Sequence, residues 1–279
     1  MDNIITTEHI NAYCLSLLAD ERAAGTISKY RRDLTAFARW LDGRAVTKES
    51  ATAWKACLLN RDYAPRTVNS MLAAVNGFCR FAGLPIKLKF LSIQRQIFRD
   101  SAKELTKEEY DRLLAAARES GQERLALIME TLCATGIRVS ELRYITMEAA
   151  LAGRATITLK GKIRTILLPA KLCRKLVKYA KKQKTASGEI FLTKSGRPIT
   201  RRQVWYELKR LCRAAGVEPT KVFPHNLRHL FATTFYRASR DIVRLADMLG
   251  HSSIDTTRIY LTVSGTEQQR QLDRLGLVS

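Results

Sequence analysis

Apolar residues recur at spacings of three and four through the first part of the chain, which is the period of an amphipathic helix. Residues 8–41 are predicted to form two helices, with Thr26 as the N-cap of the second. Thr47 is the expected N-cap of a third helix. Pro65 suits an early helical position and is predicted to open a fourth helix that runs to Phe81. This part is therefore predicted to be a small all-helical domain.

The second part of the chain combines helical periodicity with one β-rich stretch. Thr106 and Glu109 have the spacing of a capping box, which predicts a helix start. Residues 155–168 form two β-rich runs around Lys160-Gly161-Lys162, the pattern of a hairpin. Helical periodicity returns after Pro169. The predicted fold class is mainly α, with a mostly helical second domain that contains a small β-hairpin sheet.

These changes of pattern set the expected domain limits. Residues 1–90 are predicted to form the helical domain, 91–103 a linker of mixed charge, and 104–279 the second domain. Residues 267–275 are predicted to form a short terminal helix with apolar positions. That helix could pack on its own domain or on another copy of the chain.

The balance of charge is strongly basic. The sequence has 48 Lys and Arg residues against 26 Asp and Glu residues, a formal net charge of +22. Such an excess attracts polyanions, of which nucleic acid is the commonest in a cell. A membrane surface is the rival partner, but the sequence contains neither an amphipathic basic helix nor a lipidation motif. DNA or RNA is therefore the expected partner, and no membrane is expected.

The densest basic run covers residues 171–184 and contains no acidic residue. It is either a solvated helix face or a surface that contacts phosphates. The candidate DNA contacts in the second domain are Lys162, Lys171, Arg174, Lys175, Lys178, Arg201 and Arg202.

The six cysteines are predicted to be small core residues of a protein in a reducing cytoplasm. None belongs to a C-x-x-C pair, and the four histidines do not join them at the spacing of a zinc site. The N-terminus lacks the basic region and apolar run of a signal peptide. The expected location is the cytoplasm, and neither a metal nor a cofactor is expected.

Four short segments contain the residues with catalytic chemistry. Taken singly, each has a structural explanation. An arginine after a glycine turn is usually a surface ion pair, and Gly250-His251 is typical of a helix C-terminus. The segments are Ala134-Thr-Gly-Ile-Arg138-Val-Ser-Glu141-Leu142, the hairpin with Lys160, Pro224-His225-Asn-Leu-Arg228-His229, and Leu249-Gly-His251 followed by Thr257-Arg-Ile-Tyr260.

As a set, these residues suit phosphodiester transfer without a metal. Charge moves onto the phosphate oxygens during displacement, and guanidinium groups such as Arg138 and Arg228 can stabilise it. A tyrosine such as Tyr260 is a nucleophile that neighbouring cations activate. Release of the 5′ oxygen of DNA needs a proton donor, for which lysine and histidine are suited. The segments contain neither an aspartate cluster for Mg²⁺ nor a G-x-x-x-x-G-K-[ST] loop, which disfavours a metal nuclease and an ATPase.

In the order and spacing of these segments, the sequence resembles the tyrosine recombinase (phage integrase) family, in particular its shorter, Xer-like members. The resemblance covers about 104–265 closely and 1–90 weakly. It implies a helical core DNA-binding domain, the integrase catalytic fold and site-specific DNA recombination. All six expected catalytic positions are filled, by Arg138, Lys160, His225, Arg228, His251 and Tyr260.

The resemblance implies a role for each of these residues. Tyr260 would attack the scissile phosphate and form a 3′-phosphotyrosyl bond, so that rejoining needs no ATP. Arg138 and Arg228 would hold the non-bridging oxygens. His225 would help to remove the tyrosine proton, and His251 would donate to the phosphate.

The general acid and the supporting residues are also implied by the resemblance. Lys160 would protonate the leaving 5′ oxygen, and Lys162, two residues along the hairpin, is the alternative acid. Glu141 would brace Arg138, and His229 would support the site.

The resemblance further implies an assembly. Family members act as a tetramer on two DNA sites and pass through a Holliday junction, which implies a homotetramer joined through the C-terminal helix. A paralogous recombinase or an accessory DNA-bending protein is a partner that the resemblance leaves open. Leu230 stands where Thr or Ser is frequent, and the stretch from Met147 lacks the usual acidic turn, so the choice between a mobile-element and a chromosomal role stays open.

Two other functions compete with recombination. A type IB topoisomerase shares the active-site chemistry but works as a monomer with little site choice. The predicted small helical domain and terminal helix favour the recombinase. A DNA-binding protein without chemistry is the alternative from another class, and the complete set of six residues argues against it.

Overall fold

The computed structural model describes residues 3–94, 101–159, 162–193, 195–260, 269–270 and 273–275. The chain divides into two compact units, Met1–Arg95 and Gln96–Ser279. Both units are mainly helical, and the sheet in the described ranges has two strands, which confirms the predicted fold class. Within those ranges, no helix is both long enough and apolar enough to cross a membrane.

Four helices build the first unit around an apolar core. They are α1 (Thr7–Ala19), α2 (Ala24–Leu41), α3 (Lys48–Asn60) and α4 (Pro65–Phe81). Thr47 caps α3, because its hydroxyl accepts the Ser50 N–H at 3.1 Å, and Pro65 opens α4 as predicted. The most deeply buried side chains come from facing helices and include Leu34, Phe37, Val68 and Leu72.

The break between α1 and α2 lies earlier than the sequence predicts. Thr26 is not the N-cap of α2, because the helix begins at Ala24 and contains Thr26 in its first turn. The Thr26 N–H is satisfied by the Ala23 carbonyl at 2.8 Å, so no side-chain cap is needed there. The chain turns instead at Glu21, which adopts a left-handed φ of 54°. The N-cap prediction was wrong because Gly25, which precedes Thr26, is tolerated in the first turn of α2 and does not mark the end of α1.

The segment that follows α4 packs against that helix. The Asn76 side chain bonds both backbone groups of Leu88, at 2.8 and 2.9 Å, and Asn69 does the same for Leu91 at 2.7 and 2.9 Å. Each amide thereby satisfies one N–H and one C=O, as a neighbouring strand would. Leu88 is buried, so this stretch belongs to the core of the first unit although it has no helical period.

The described part of the second unit contains eight helices. They are α5 (Lys107–Glu119), α6 (Glu123–Thr135), α7 (Met147–Ala152), α8 (Ala170–Lys182), α9 (Arg201–Ala215), α10 (Pro224–Ser239), α11 (Ile242–Leu249) and α12 (Ile254–Arg258), with a 3-10 turn at Val139–Tyr144. Thr106 and Glu109 form the predicted capping box of α5, at 3.2 and 2.9 Å. Helix α6 is central, since α5, α8, α9 and α10 all pack against it.

A two-stranded antiparallel hairpin lies between α7 and α8. Strand β1 (Arg154–Leu159) pairs with β2 (Lys162–Leu167), and Ile157 stands opposite Arg164. Ile157 and Ile166 face the core, while Ile163 and Leu167 face outward. Because strand side chains alternate, Arg164 shares the inward side of β2 with Ile166.

The six cysteines are unpaired, and three of them (Cys14, Cys79 and Cys212) are buried while the other three are half-buried. This is the burial expected of small core residues. The predicted terminal helix over 267–275 lies largely outside the described residues.

Candidate active site

The Arg228 side chain is almost completely buried, with 2% of its surface exposed. Its guanidinium donates to the carbonyl oxygen of Gly136 at 2.6 Å and to that of Leu249 at 2.8 Å. Both acceptors are near the C-termini of helices, α6 and α11, where the helix dipole is negative. The carbonyl groups at the ends of these two helices point at the buried guanidinium and therefore stabilise its charge.

Two glycines make these helix ends possible. Gly136 and Gly250 are the C-caps of α6 and α11, with left-handed φ values of 64° and 65°. A Cβ atom at Gly136 would overlap the Phe231 ring, and one at Gly250 would overlap the Arg164 guanidinium. The turns after α6 and α11 therefore require glycine for their conformation and for the space around it.

His251 follows the second of these turns and is hydrogen-bonded through both ring nitrogens. Its Nε2 lies 2.9 Å from a guanidinium nitrogen of Arg228, and its Nδ1 lies 2.8 Å from the hydroxyl of Thr257. A guanidinium can only donate, so Nε2 must be the acceptor and Nδ1 must carry the proton. In this arrangement His251 orients Arg228, and donation from Nε2 to a phosphate would require that bond to open and the ring proton to move from Nδ1 to Nε2.

Tyr260 lies against the same cluster and is 4% exposed. Its ring centroid is 5.1 Å from that of His229 and 6.1 Å from that of His251, and the His251 ring is nearly parallel to it, at 9°. The Tyr260 side chain lies close enough to Arg228 to act against the lowering of the Arg228 pKa that burial causes. The candidate nucleophile and the buried arginine are thus direct neighbours.

Arg138 is placed differently, at the start of the 3-10 turn with 43% of its side chain exposed. Glu141 is 1% exposed and accepts from the Arg138 guanidinium at 3.1 Å and from the Arg138 N–H at 2.7 Å. The second carboxylate oxygen of Glu141 also accepts from Arg164 at 2.6 Å. Glu141 therefore braces Arg138, and Arg164 shares that carboxylate.

The N-terminus of α10 positions His225 one turn before Arg228. Asn226, which is buried, anchors this end through its amide, which donates to the carbonyl oxygens of Lys103 at 2.8 Å and Lys221 at 2.7 Å. His225 itself lies at the surface. The two residues that share a helical spacing therefore differ in environment: Arg228 is enclosed, while His225 is covered in part and keeps an exposed surface.

Burial, together with the positive charge of the cluster, lowers the pKa values of two histidines. Loss of water around the ring and then the guanidinium of Arg228 lower the pKa of His251 to about 4. Displaced water, followed by Arg228 and Arg138, also lowers the pKa of His225 below its usual value. Both imidazoles are consequently neutral at pH 7, beside cations that suit an anion such as a phosphodiester.

The remaining predicted site residues are partly outside the described structure. Lys160 lies outside the described residues, and so does the side chain of Lys162, at the start of β2. The Tyr144 hydroxyl donates to the carbonyl oxygen of Thr158, which fixes the end of β1 to the 3-10 turn. No three side chains of His, Cys, Asp and Glu in the described ranges are grouped closely enough to hold a metal ion.

The basic residues proposed as DNA contacts fall into two groups. Lys171, Arg174 and Lys178 on α8 are exposed, as are Arg201 and Arg202 on α9. Lys175 instead pairs with Glu130 of α6, which also binds Arg118 at 2.6 Å. The dense basic run is therefore partly engaged within the protein.

Sequence reasoning missed two residues of this site, Arg164 and Thr257. Arg164 carried a signal, because strand alternation puts it on the inward side of β2 beside apolar positions, where an unpaired charge is costly. Thr257 carried none, since its fully buried hydroxyl is recognisable only from the fold.

Known protein families match both parts of the chain. The phage integrase family model matches residues 103–267, and the phage integrase N-terminal SAM-like domain matches residues 10–83. Tyrosine recombinase XerA of Pyrococcus furiosus is 28% identical, over 99% of this chain and 97% of its own. Tyrosine recombinase XerD of Xanthomonas campestris pv. campestris is 33% identical, over 87% of this chain and 83% of its own.

Solved structures share the fold. A lambda integrase tetramer bound to a Holliday junction aligns with a TM-score of 0.74 and 20% identity, over 93% of this chain and 78% of that chain. XerH site-specific recombinase bound to difH substrate aligns with a TM-score of 0.70 and 17% identity, over 95% of this chain and 84% of that one. The chain therefore belongs to the phage integrase family and is a tyrosine recombinase, an enzyme that breaks and rejoins DNA.

Proposed function

We propose that Tyr260 is the nucleophile of a site-specific recombination reaction. Its oxygen attacks the scissile phosphate, a P–O bond to tyrosine forms, and the bond to the 5′ oxygen breaks. The supporting observation is the packing of the Tyr260 ring against His251, which is hydrogen-bonded to the buried Arg228, within a cluster of cations that suits a phosphodiester. Because the 3′-phosphotyrosyl bond retains the bond energy, rejoining uses neither ATP nor a metal.

Arg228 and Arg138 bind the two non-bridging oxygens of that phosphate. Arg228 is fixed by the carbonyl oxygens of Gly136 and Leu249, so its direction is set before DNA arrives. Arg138 is 43% exposed and braced by Glu141, which leaves its outer surface open to a ligand. His251 keeps Arg228 oriented through Nε2, and it donates to the phosphate only after that bond opens and the ring proton has moved from Nδ1 to Nε2.

Two proton transfers accompany the displacement. His225 is neutral at pH 7, because its pKa is lowered, and can take up the tyrosine proton. Lys160 donates a proton to the departing 5′ oxygen, and Lys162 is the alternative donor on the same hairpin. His229, whose ring packs against Tyr260, supports the nucleophile.

The enzyme grips double-stranded DNA through basic surfaces. The exposed face of α9 combines Arg201 and Arg202 with the aromatic rings of Trp205 and Tyr206, and α8 presents Lys171, Arg174 and Lys178. Helical domain 1–90 and catalytic domain 104–279, joined by the linker 91–103, both carry a positive balance, and each contacts the DNA. The reaction takes place on the nucleoid in a prokaryotic cytoplasm.

The active assembly is a homotetramer on two DNA sites that proceeds through a Holliday junction. The lambda integrase neighbour is a tetramer bound to such a junction. The C-terminal helix joins the protomers, with an apolar cavity of about 530 Å³ between α5, α6, α8 and α10 as its receptor, lined by Leu172, Leu230 and Phe235 among others. A paralogous recombinase or an accessory DNA-bending protein is the alternative partner of this assembly.

Detection of a covalent adduct tests this proposal. Supercoiled DNA carrying the sequence that flanks the gene is incubated with the protein, quenched with detergent and probed for protein bound to a 3′ end. We expect an adduct with the unchanged protein and none with Tyr260→Phe, while salt-sensitive DNA binding is the same for both. Binding without an adduct in the unchanged protein on every flanking DNA would reject the chemistry.

A sulfur leaving group tests the general acid. The Lys160→Ala protein should fail to cleave the ordinary phosphodiester. It should still cleave DNA with a bridging 5′ sulfur, because sulfur departs without a proton. If the sulfur substrate restored cleavage by the Lys162→Ala protein and not by the Lys160→Ala protein, Lys162 would be the general acid.

A further inference from the structure

Arg164 connects three separate parts of the second unit. It belongs to strand β2, and its guanidinium donates to Glu141 of the 3-10 turn at 2.6 Å and to the Met248 carbonyl oxygen at the end of α11 at 2.9 Å. It also fills the space beside Gly250, the residue before His251. One side chain therefore touches the hairpin, the turn that holds Arg138 and the turn that holds His251.

Burying the Arg164 guanidinium would destabilise the fold if these acceptors were absent. Its side chain is 15% exposed, and burial lowers its pKa while Glu141 acts in the opposite direction. A guanidinium in such a position must have its donors satisfied, since an unpaired buried charge is strongly destabilising. Its two acceptors lie on different elements, so satisfying the charge also fixes the distance between those elements.

Glu141 needs Arg164 to hold Arg138 correctly. One carboxylate oxygen accepts from the Arg138 guanidinium, and the other accepts from Arg164 and from the Arg138 N–H. Without Arg164, the second oxygen of this nearly buried carboxylate would keep only the Arg138 N–H, and the Arg138 guanidinium would be the one cation left to balance its charge. Arg138 would then be drawn inward, away from a bound phosphate.

We propose that Arg164 is a positioning residue that aligns the hairpin with the two phosphate-binding turns. The hairpin carries both candidate general acids, Lys160 and Lys162. Its attachment through Arg164 sets their distance from the phosphate that Arg138 and Arg228 hold. This inference rests on the proposed function, because it concerns the geometry of the same reaction.

The variants test whether Arg164 must donate to both of its acceptors at once. Arg164→Gln removes the charge, and Arg164→Lys keeps a charge but cannot donate to both acceptors in the same planar geometry. Arg154→Gln is the matched control, because Arg154 is an exposed arginine on the neighbouring strand. Each full-length protein is assayed on a duplex of the sequence that the unchanged protein cleaves, with an ordinary or a sulfur-bridged 5′ leaving group.

Single-turnover cleavage is the deciding measurement. We expect Arg164→Gln to slow the ordinary substrate about 100-fold, the scale of a misplacement of about 1 Å, with DNA affinity changed less than about threefold. The sulfur substrate should lose only about tenfold, because it bypasses the acid on the hairpin but still requires Arg138. Arg164→Lys should fall between Arg164→Gln and the unchanged protein, and Arg154→Gln should match the unchanged protein.

Other results would overturn the inference in recognisable ways. If Arg164→Gln slowed cleavage of the two substrates equally, Arg164 would not act through the acid on the hairpin. If it slowed neither, Arg164 would have no positioning role. The double variant Arg164→Gln/Glu141→Gln should be no slower on the sulfur substrate than Glu141→Gln alone, and additive losses would contradict action through Glu141. Failure of the unchanged protein to form an adduct would instead reject the proposed function.

Discussion

The two arginines of the candidate site are held in opposite ways. Arg228 is 2% exposed and bonded to main-chain carbonyl oxygens at the ends of α6 and α11. Arg138 is 43% exposed and bonded to a side chain, Glu141, which Arg164 shares. The first arrangement is part of the fold, whereas the second depends on a few replaceable side chains.

This difference separates stability from chemistry. The carbonyl acceptors of Arg228 would be left without donors if the guanidinium were removed, so the fold depends on this residue. Arg138 contributes little to the core because it lies at the surface, and its loss should affect the reaction almost alone. Equal chemical roles can therefore have unequal structural consequences.

The largest expected effect compares Arg228→Met with Arg138→Met. Arg228→Met should lower the free energy of unfolding by about 3–5 kcal/mol, because two buried carbonyl oxygens lose charged donors. Arg138→Met should lower it by less than about 1 kcal/mol. Urea unfolding of both proteins measures the two values, and both variants should fail to form the DNA adduct. Equal stabilities would mean that the carbonyl contacts of Arg228 contribute nothing to folding.

A smaller effect is expected from the turn that supports Arg228. Gly136→Ala and Gly121→Ala both place a side chain at positive φ, 64° and 67°, which costs about 1–2 kcal/mol. Only at Gly136 does the new methyl group overlap another side chain, Phe231. Gly136→Ala should therefore lower stability by a further 1–3 kcal/mol or so, measured by urea unfolding. A difference near zero would show that Phe231 moves aside freely.

The smallest effect concerns pH and the His251 bond. Since the folded protein lowers the pKa of His251 to about 4 from about 6.5, the unfolded chain binds more protons between these values. The stability from this residue is complete above about pH 6.5 and is lost as the pH falls through about 4, by on the order of 1 kcal/mol after allowance for solvent screening. His251→Asn should flatten this part of the profile of melting temperature against pH. An unchanged slope in the variant would assign it to other groups, among them His225.

Local signals in the sequence predicted much of the fold. The capping box at Thr106, the proline at Pro65 and Gly250 after α11 each act within one helical turn, so neighbouring residues suffice to recognise them. The hairpin was predicted for the same reason, from two β-rich runs and a short polar turn. Thr26 shows the weakness of this approach, since a main-chain acceptor replaced the expected cap.

Contacts between distant residues could not be predicted in this way. Arg228 reaches a carbonyl oxygen 92 positions away, and main-chain acceptors leave no mark on side-chain identity. Arg164 and Glu141 are 23 positions apart and meet only after the hairpin folds against the 3-10 turn. The residues that supply chemistry were identifiable by type and order, while the residues that hold them depend on tertiary structure.

The burial of Tyr260 has a kinetic consequence. Its ring lies in a cluster with Phe231, Leu245 and Leu249, and only 4% of its surface is exposed. A phosphate in intact DNA can meet the hydroxyl only in conformations where this covering has opened, so the observed cleavage rate is the intrinsic rate multiplied by the fraction of open molecules. In the protein free in solution, the covered tyrosine is therefore protected from reaction with DNA. A DNA geometry that favours the open conformation raises the fraction of open molecules, and with it the rate of strand cleavage.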